Sequence, residues 1–244
     1  MKRWHWVSIG IAIAVLIIVG LGAWEVSSLR SSLYPSAPRM PAVVSEPMPE
    51  ILARLEAILQ TNAPHVLDVL QPGLSAGEIA KLEEQYRVQL PEEIKAIYLW
   101  HNGSARTTNY LSGDFIPTHR FVPLEETLSE RTAVSAEKTT LLQRAFYRVL
   151  AGHRDSWIAL FSDRAGDGYW LDPKRNSVDG AVFFNFTETA SYVFFPSAKN
   201  LMAGIAECYA QNIFFVKPGS SPPQLEEDFE KAQKAWEKFG ASRN

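Results

Sequence analysis

A single cysteine, Cys208, among 244 residues leaves nothing from which to build an intrachain disulfide framework or a cysteine zinc site. Basic residues are not in excess either. There are 24 Lys and Arg against 27 Asp and Glu, giving a net charge of -3 and a pI near 6.0, so a cationic nucleic-acid footprint is missing. The five histidines, His5, His65, His101, His119 and His153, are dispersed and form no His-x-x-x-His pair of the helix-borne zinc kind. Neither a Gly-x-Ser-x-Gly elbow nor a phosphate-cradling glycine loop occurs. Cys208 itself lies in an apolar helical stretch, where a thiol ordinarily behaves as a small buried hydrophobe. No internal repeat is visible. An enzyme would need a scattered active site that no motif reveals, and no cofactor and no small-molecule substrate are expected.

What the chain does have is unevenly spread. Val7 to Trp24 carries no charged residue, and a stretch of this length is just enough to cross a bilayer core as a helix. Trp4 and Trp6 at one end and Trp24 at the other suit the headgroup level. Residues 1–26 therefore read as a single-pass transmembrane anchor. A cleaved signal peptide is the rival reading, with Lys2 and Arg3 as its basic start and only a weak small-residue cut site at Gly20-Leu21-Gly22. The charges nearest the span favour a cytoplasmic N-terminus, although Arg30 and Arg39 follow within reach. Residues 27–47 are rich in proline and serine, which makes them an extended spacer or an irregular strap on the domain.

Residues 48–217 carry the signals of a folded domain. Ile51, Leu52, Leu55, Ile58 and Leu59 give one apolar face to a helix near 49–60. Ser75-Ala76-Gly77-Glu78 has the form of a capping box, flanked by Leu74 and Ile79 as a hydrophobic staple, for a helix running to about Tyr86. Pro91 opens another helix, which Asn102-Gly103 is placed to stop. Residues 125–150 read as helical in two pieces, and 198–211 as a further helix. Between them, 157–161, 169–171, 181–184 and 192–195 are short aromatic or β-branched runs bounded by turn residues. Consecutive strands with short turns pair antiparallel, so the fold class expected is α+β, a small antiparallel sheet packed with helices and preceded by one transmembrane helix. In residues 218–244, Leu225, Phe229, Ala232, Trp236 and Phe239 recur at helical spacing, predicting an amphipathic helix over 224–241. That helix docks either on its own domain or on a partner.

The acidic stretch from Asp163 to Gly168 invites a metal reading, and it fails. Asp163, Asp167 and Gly168 fit the first, fifth and sixth positions of a calcium loop, but Ala165 and Lys174 stand where ligands should be. A turn, with aspartates bonding nearby amides, accounts for the pattern without a metal. Trp100, Trp157 and Trp170 suit sheet packing better than ligand stacking. If a partner surface exists, aromatics beside acidic rims are the candidates, because Trp and Tyr dominate interface hot spots. Asp163, Asp167, Trp170 and Asp172, gathered around one hairpin, are the partner-binding residues expected.

Two ordered blocks resemble a known family. The first is Gln71-Pro72-Gly73, Ile79 to Leu82-Glu83, Leu90-Pro91-Glu92 and His101-Asn102-Gly103, within Leu70 to Ser104. The second is Trp157 to Asp163 followed by Gly166 to Asp172, with Gly180-Ala181-Val182 beyond it. Over roughly 48–216 the chain resembles the SUKH superfamily of Smi/Knr-type proteins. The resemblance implies a compact, generally non-catalytic α+β interaction module. Many bacterial members look like immunity proteins that neutralise a toxin, others bind components at the membrane, and fungal ones regulate cell-wall synthesis. An anchor and a tail after Pro218 depart from that pattern. Taken together, the reading is a membrane-tethered protein-interaction module, immunity-type or regulatory. A membrane-anchored enzyme and a structural component of an envelope assembly are the alternatives. Lys2, Arg3 and Arg30 against Glu25 fall in the first thirty residues, so removing them leaves 21 basic and 26 acidic residues, a net of -5. That charge suits a basic protein partner better than nucleic acid.

Overall fold

A computed structural model describes residues 40–105, 113–136, 157–163, 165–171, 180–185 and 192–240. The expected anchor over 1–26, most of the spacer and the second helical piece up to residue 150 lie outside the described residues. Among the described residues, no helix is long and apolar enough to cross a membrane.

Helix α1 (Met48–Asn62) follows from its spacing: Met48, Ile51, Leu52, Leu55 and Leu59 form one buried stripe. A single turn, α2 (Pro64–Leu67), and a short strand, β1 (Leu70–Pro72), lead into α3 (Ala76–Tyr86). The capping box is formed as the sequence predicts. Ser75 Oγ accepts from the Glu78 amide at 3.2 Å, and the Glu78 carboxylate accepts from the Ser75 amide at 2.8 Å. Ser75→Ala is therefore expected to lower stability by about 1 kcal/mol in urea unfolding. Helix α4 (Glu92–Trp100) starts after Pro91 and buries Ile94, Ile97 and Tyr98.

The structure corrects the expected end of α4. The helix stops at Trp100, and His101-Asn102-Gly103 is not a cap but most of strand β2 (His101–Ser104), which pairs antiparallel with β1. Two further strands, β3 (Asp114–Ile116) and β4 (His119–Phe121), precede α5 (Leu124–Ala136). Then come β5 (Ile158–Ser162), β6 (Gly168–Leu171), β7 (Val182–Asn185) and β8 (Tyr192–Phe195), at the four runs the sequence marks. The sheet is larger than expected. β3 to β8 form a six-stranded antiparallel meander in sequence order, while β1–β2 stands apart as a separate ribbon.

Helix α6 (Ala198–Ala210) is buried along most of its length and packs against α1. Its Cys208 is fully buried, and burial pushes the thiol up to about 12. Cys208 should therefore stay unmodified by a thiol-specific disulfide reagent until denaturant unfolds the chain; fast labelling of the native protein would contradict this placement. Beyond it, β9 (Phe214–Val216) pairs with β10 (Leu225–Glu227), and α7 (Phe229–Phe239) packs on α6. The helix expected over 224–241 is thus shorter, because its first residues are used as a strand. Gly204 in α6 supplies the room for α7, since a Cβ there would lie 3.0 Å from the Trp236 ring.

The aromatic content concentrates where the sheet meets these helices. Phe115 stacks on Phe161 with ring centres 5.4 Å apart, and Phe121 lies 5.4 Å from both Phe161 and Tyr98. The Tyr98 hydroxyl donates to the Val122 carbonyl, which satisfies its one buried polar atom. His65 is less well served. Its Nε2 is buried without a partner, and burial pushes the ring below its ordinary 6.5, with Asp68 pulling weakly the other way. The folded state resists a proton that the unfolded chain accepts near pH 6.5, so this contribution to stability is complete above that pH and is lost as pH falls below it. His65→Phe should make the acid side of the stability profile shallower, read by chemical unfolding at successive pH values.

Candidate functional site

The hairpin residues singled out in the sequence divide three ways. Asp163 is committed to the turn between β5 and β6: its Oδ1 accepts from the Ala165 and Asp167 amides at 2.8 and 2.9 Å. That is the local aspartate turn the sequence allowed for, and it uses the carboxylate internally. Trp170 is half-buried in the middle of β6, opposite Ala159 and Phe183. Asp172 lies outside the described residues. Asp163 and Asp167 share the turn, and Trp170 sits in the strand beyond it.

A cleft lies one residue away from Trp170, on the opposite face of β6. Side chains alternate across a strand, so Tyr169 points where Trp170 does not. Tyr169, Phe184 and Phe194 from the sheet, Phe214 and Trp236 beyond it, and His119 at the start of β4 line it. The volume is about 180 Å³. That is small beside pockets for drug-sized molecules, roughly 300–1,000 Å³, and suits a single inserted side chain. His119 packs on the sheet rings, its ring centre 5.6 Å from Tyr169 and 5.9 Å from Phe184. Its Nδ1 lies 3.0 Å from both the Pro117 carbonyl and the Thr118 hydroxyl; where Nδ1 donates to the carbonyl, Nε2 is left with a lone pair. Nε2 is buried and has no hydrogen-bond partner among the described residues.

The rim is acidic. Glu227 ends β10 at the cleft and Glu237 reaches it from α7. Glu226 and Asp228, on either side of Glu227, are each taken by a lysine: Lys217 at 2.8 Å and Lys231 at 2.7 Å. Glu227 has no cation within ion-pair distance among the described residues, and loss of water around its carboxyl pushes its pKa up. Its side chain keeps an open edge to solvent, which limits how far the crowding on the other side is felt. Beside it Phe229, 65% exposed, lies at the mouth. The helical stripe predicted for the tail included Phe229 as a docking residue. It is not one, because α7 begins only there and turns Ala232 and Ala235 inward.

A second groove, between α1 and α4, is larger, about 680 Å³, and differs in one respect. There Trp100 Nε1 and His101 Nε2 both reach Glu56 Oε2, at 2.9 and 3.2 Å, and His101 Nδ1 faces the Gln71 carbonyl at 2.9 Å. Its polar groups satisfy one another. Those of the cleft do not, which makes the cleft the better candidate for receiving something from outside. Among the described residues no group of three or more His, Cys, Asp or Glu is arranged to hold a metal.

The sequence could hardly have found this site. Its residues come from β3–β4, β6–β8, β9–β10 and α7, and only the breakers Gly219, Pro222 and Pro223 hint at the hairpin that brings Glu227 to Phe214.

The residues that carried the resemblance do something else. A Cβ on Gly73 would lie 2.0 Å from the Leu99 carbonyl oxygen, so only glycine lets β1 pass so close to the end of α4. Glu83 accepts from the Leu90 amide at 2.7 Å, and Asn102 Oδ1 accepts from the first amide of α5 at 3.0 Å. Gly168 opens β6 at φ 156°, with Phe161 O 2.1 Å from where its Cβ would be. The glycines let backbone pass close to backbone, and the Glu83 and Asn102 side chains hold neighbouring backbone amides. No curated protein matches the chain. The profile of the SMI1/KNR4 family (SUKH-1) matches residues 73–204, more than half of its length, and the chain belongs to that family.

Proposed function

We propose that the chain is a non-catalytic protein-interaction module, of the immunity or regulatory kind, held at a membrane by its first residues. The observation that carries the reading is how the family's motif residues are spent. Gly73, Glu83, Asn102 and Gly168 make close backbone approaches and hydrogen bonds, so the shared sequence builds a scaffold rather than a reacting centre. Domains of this family commonly bind partner proteins, and a scaffold that leaves a cleft with unsatisfied acceptors suits that use. The tether rests on the uncharged run from Val7 to Trp24 and its flanking tryptophans.

The test is affinity capture by the full-length chain from detergent-solubilised membranes, followed by mixing with the purified candidate. One protein retained at fixed stoichiometry, and rebinding when purified, is the expected result. Failure to retain any protein, or a catalytic turnover by the purified chain, would count against the reading. Alkaline carbonate extraction checks the tether: the chain should remain with the membrane pellet, and release into the supernatant would remove the anchor from the proposal.

A further inference from the structure

We infer that the cleft between the sheet and α7 receives the guanidinium of an arginine side chain from a basic segment of the partner protein. The inference rests on the reading of the chain as a protein-binding module and names where that binding is centred. Its elements lie partly beyond the family match: Phe214, Glu227, Phe229 and Trp236 all follow residue 204. The cleft is therefore built jointly: His119, Tyr169, Phe184 and Phe194 come from the region of the family match, and the acidic rim and the far wall from the residues after it.

The chemistry of the occupant follows from what the cleft offers. Its walls are aromatic, and a ring face attracts a cation through the ring quadrupole. His119 Nε2, buried and unpartnered, presents a lone pair when Nδ1 donates to Pro117. Glu227 and Glu237 bring carboxylates with no cation within ion-pair distance among the described residues, although both neighbours of Glu227 have one. Gln233 and Thr118 offer donors as well as acceptors. An anion would meet like charge, and an uncharged apolar group would leave His119 Nε2 unmet. A cation with several N–H donors answers both that nitrogen and the carboxylates. Between the two cationic side chains the aromatic walls select arginine, whose planar and weakly hydrated guanidinium stacks on rings, over the strongly hydrated ammonium of lysine. Space for one side chain, not for a larger molecule, agrees with the volume of about 180 Å³. Exposed Phe229 at the mouth would then cover the stem of the entering side chain.

The experiment titrates the full-length chain, kept in non-ionic detergent, with a blocked pentapeptide carrying one central arginine between alanines. Parallel titrations use citrulline, an uncharged near-isostere, and lysine in its place, and NMR follows the His119 ring and the Trp236 indole. Saturable shifts at both are expected with arginine, with affinity at least about tenfold weaker for citrulline. Glu227→Gln and Phe229→Ala alter exposed side chains and leave the fold intact; each should weaken the arginine peptide, Glu227→Gln by about tenfold. Absence of saturable shifts, equal binding of citrulline, or an unchanged affinity in Glu227→Gln overturns the inference. Tighter binding of lysine overturns the choice of guanidinium. The two proposals fail separately. A captured partner indifferent to Glu227→Gln and Phe229→Ala would sink the cleft and leave the interaction module standing. Peptide binding without any protein partner would do the reverse.

Discussion

Asn200→Leu is expected to lower the unfolding free energy by about 3–5 kcal/mol, more than its nearly unchanged size would suggest. Asn200 is 1% exposed, and its amide makes every hydrogen bond an asparagine can. Its Nδ2 donates to the Ala42 and Phe239 carbonyls at 3.1 and 3.0 Å, and its Oδ1 accepts from the Val44 amide at 3.1 Å and the Ser197 hydroxyl at 2.8 Å. One side chain thus ties the strap before α1 and the end of α7 to the start of α6. Leucine fills the space but orphans four polar groups, each costing about 1–3 kcal/mol where water cannot reach it. Fraying of the strap and of α7 lets some recover water, which is why the expected loss is less than the sum. Urea unfolding gives the magnitude, and limited proteolysis gives the location, with new cuts in residues 40–46 and after Phe239. Ser197→Ala, which removes the cap on α6 and one of the two donors to Asn200 Oδ1 but leaves the strap and α7 bonded to Asn200, should cost less, about 1–2 kcal/mol. Similar losses in both variants would show that the strap and α7 do not depend on Asn200.

The same clamp answers what the sequence left open about the spacer. Its last residues are a strap on the domain, held through Ala42 and Val44, with Glu46 paired to Arg54 at 2.8 Å.

The second large effect is a pair of substitutions with opposite signs. Gly73→Ala should cost about 3 kcal/mol or more, because the new Cβ meets three backbone atoms of Leu99 and Trp100 between 2.0 and 2.8 Å away. Backbone cannot step aside as the tip of a side chain can, and the Leu74 amide is bonded to the Tyr98 carbonyl at 2.9 Å beside it. Gly77→Ala, four residues later, should stabilise by about 0.5 kcal/mol. Gly77 is inside α3, its Cβ would meet only Ser75 Oγ at 4.0 Å, and alanine restricts the unfolded chain more than glycine does. Thermal or urea unfolding of the two variants tests both. If Gly73→Ala is as mild as Gly77→Ala, β1 does not pass α4 at the distance described.

Much of the fold was readable because its signals are local. α1, α3, α4 and α6 show helical spacing or caps, and β5 to β8 are aromatic or β-branched runs between turns. What escaped was short or paired at a distance. β1 and β2 have no strand pattern of their own and exist because Leu70 and Ser104 meet across intervening helices. β10 reads as helix from Leu225 onward until Phe214 and Phe215 give it a partner. The cleft lies on the face of β6 opposite Trp170. Trp170 and the aspartates drew attention as aromatic and acidic neighbours, while Tyr169, on the other side of the strand, lines the cleft.

By itself, then, the sequence determined the α+β class, the order of most elements, the family resemblance and the acidic balance of everything after the first thirty residues. Those follow from periodicity, capping, turn chemistry and charge, which act between near neighbours or need no geometry. Only the tertiary structure decided which carboxylates are spoken for. Glu226, Glu227 and Asp228 are alike as letters. Pairing of β10 with β9 lays Glu226 against Lys217, the start of α7 gives Asp228 to Lys231, and the pleat turns Glu227 toward the aromatic cleft without a counter-charge among the described residues.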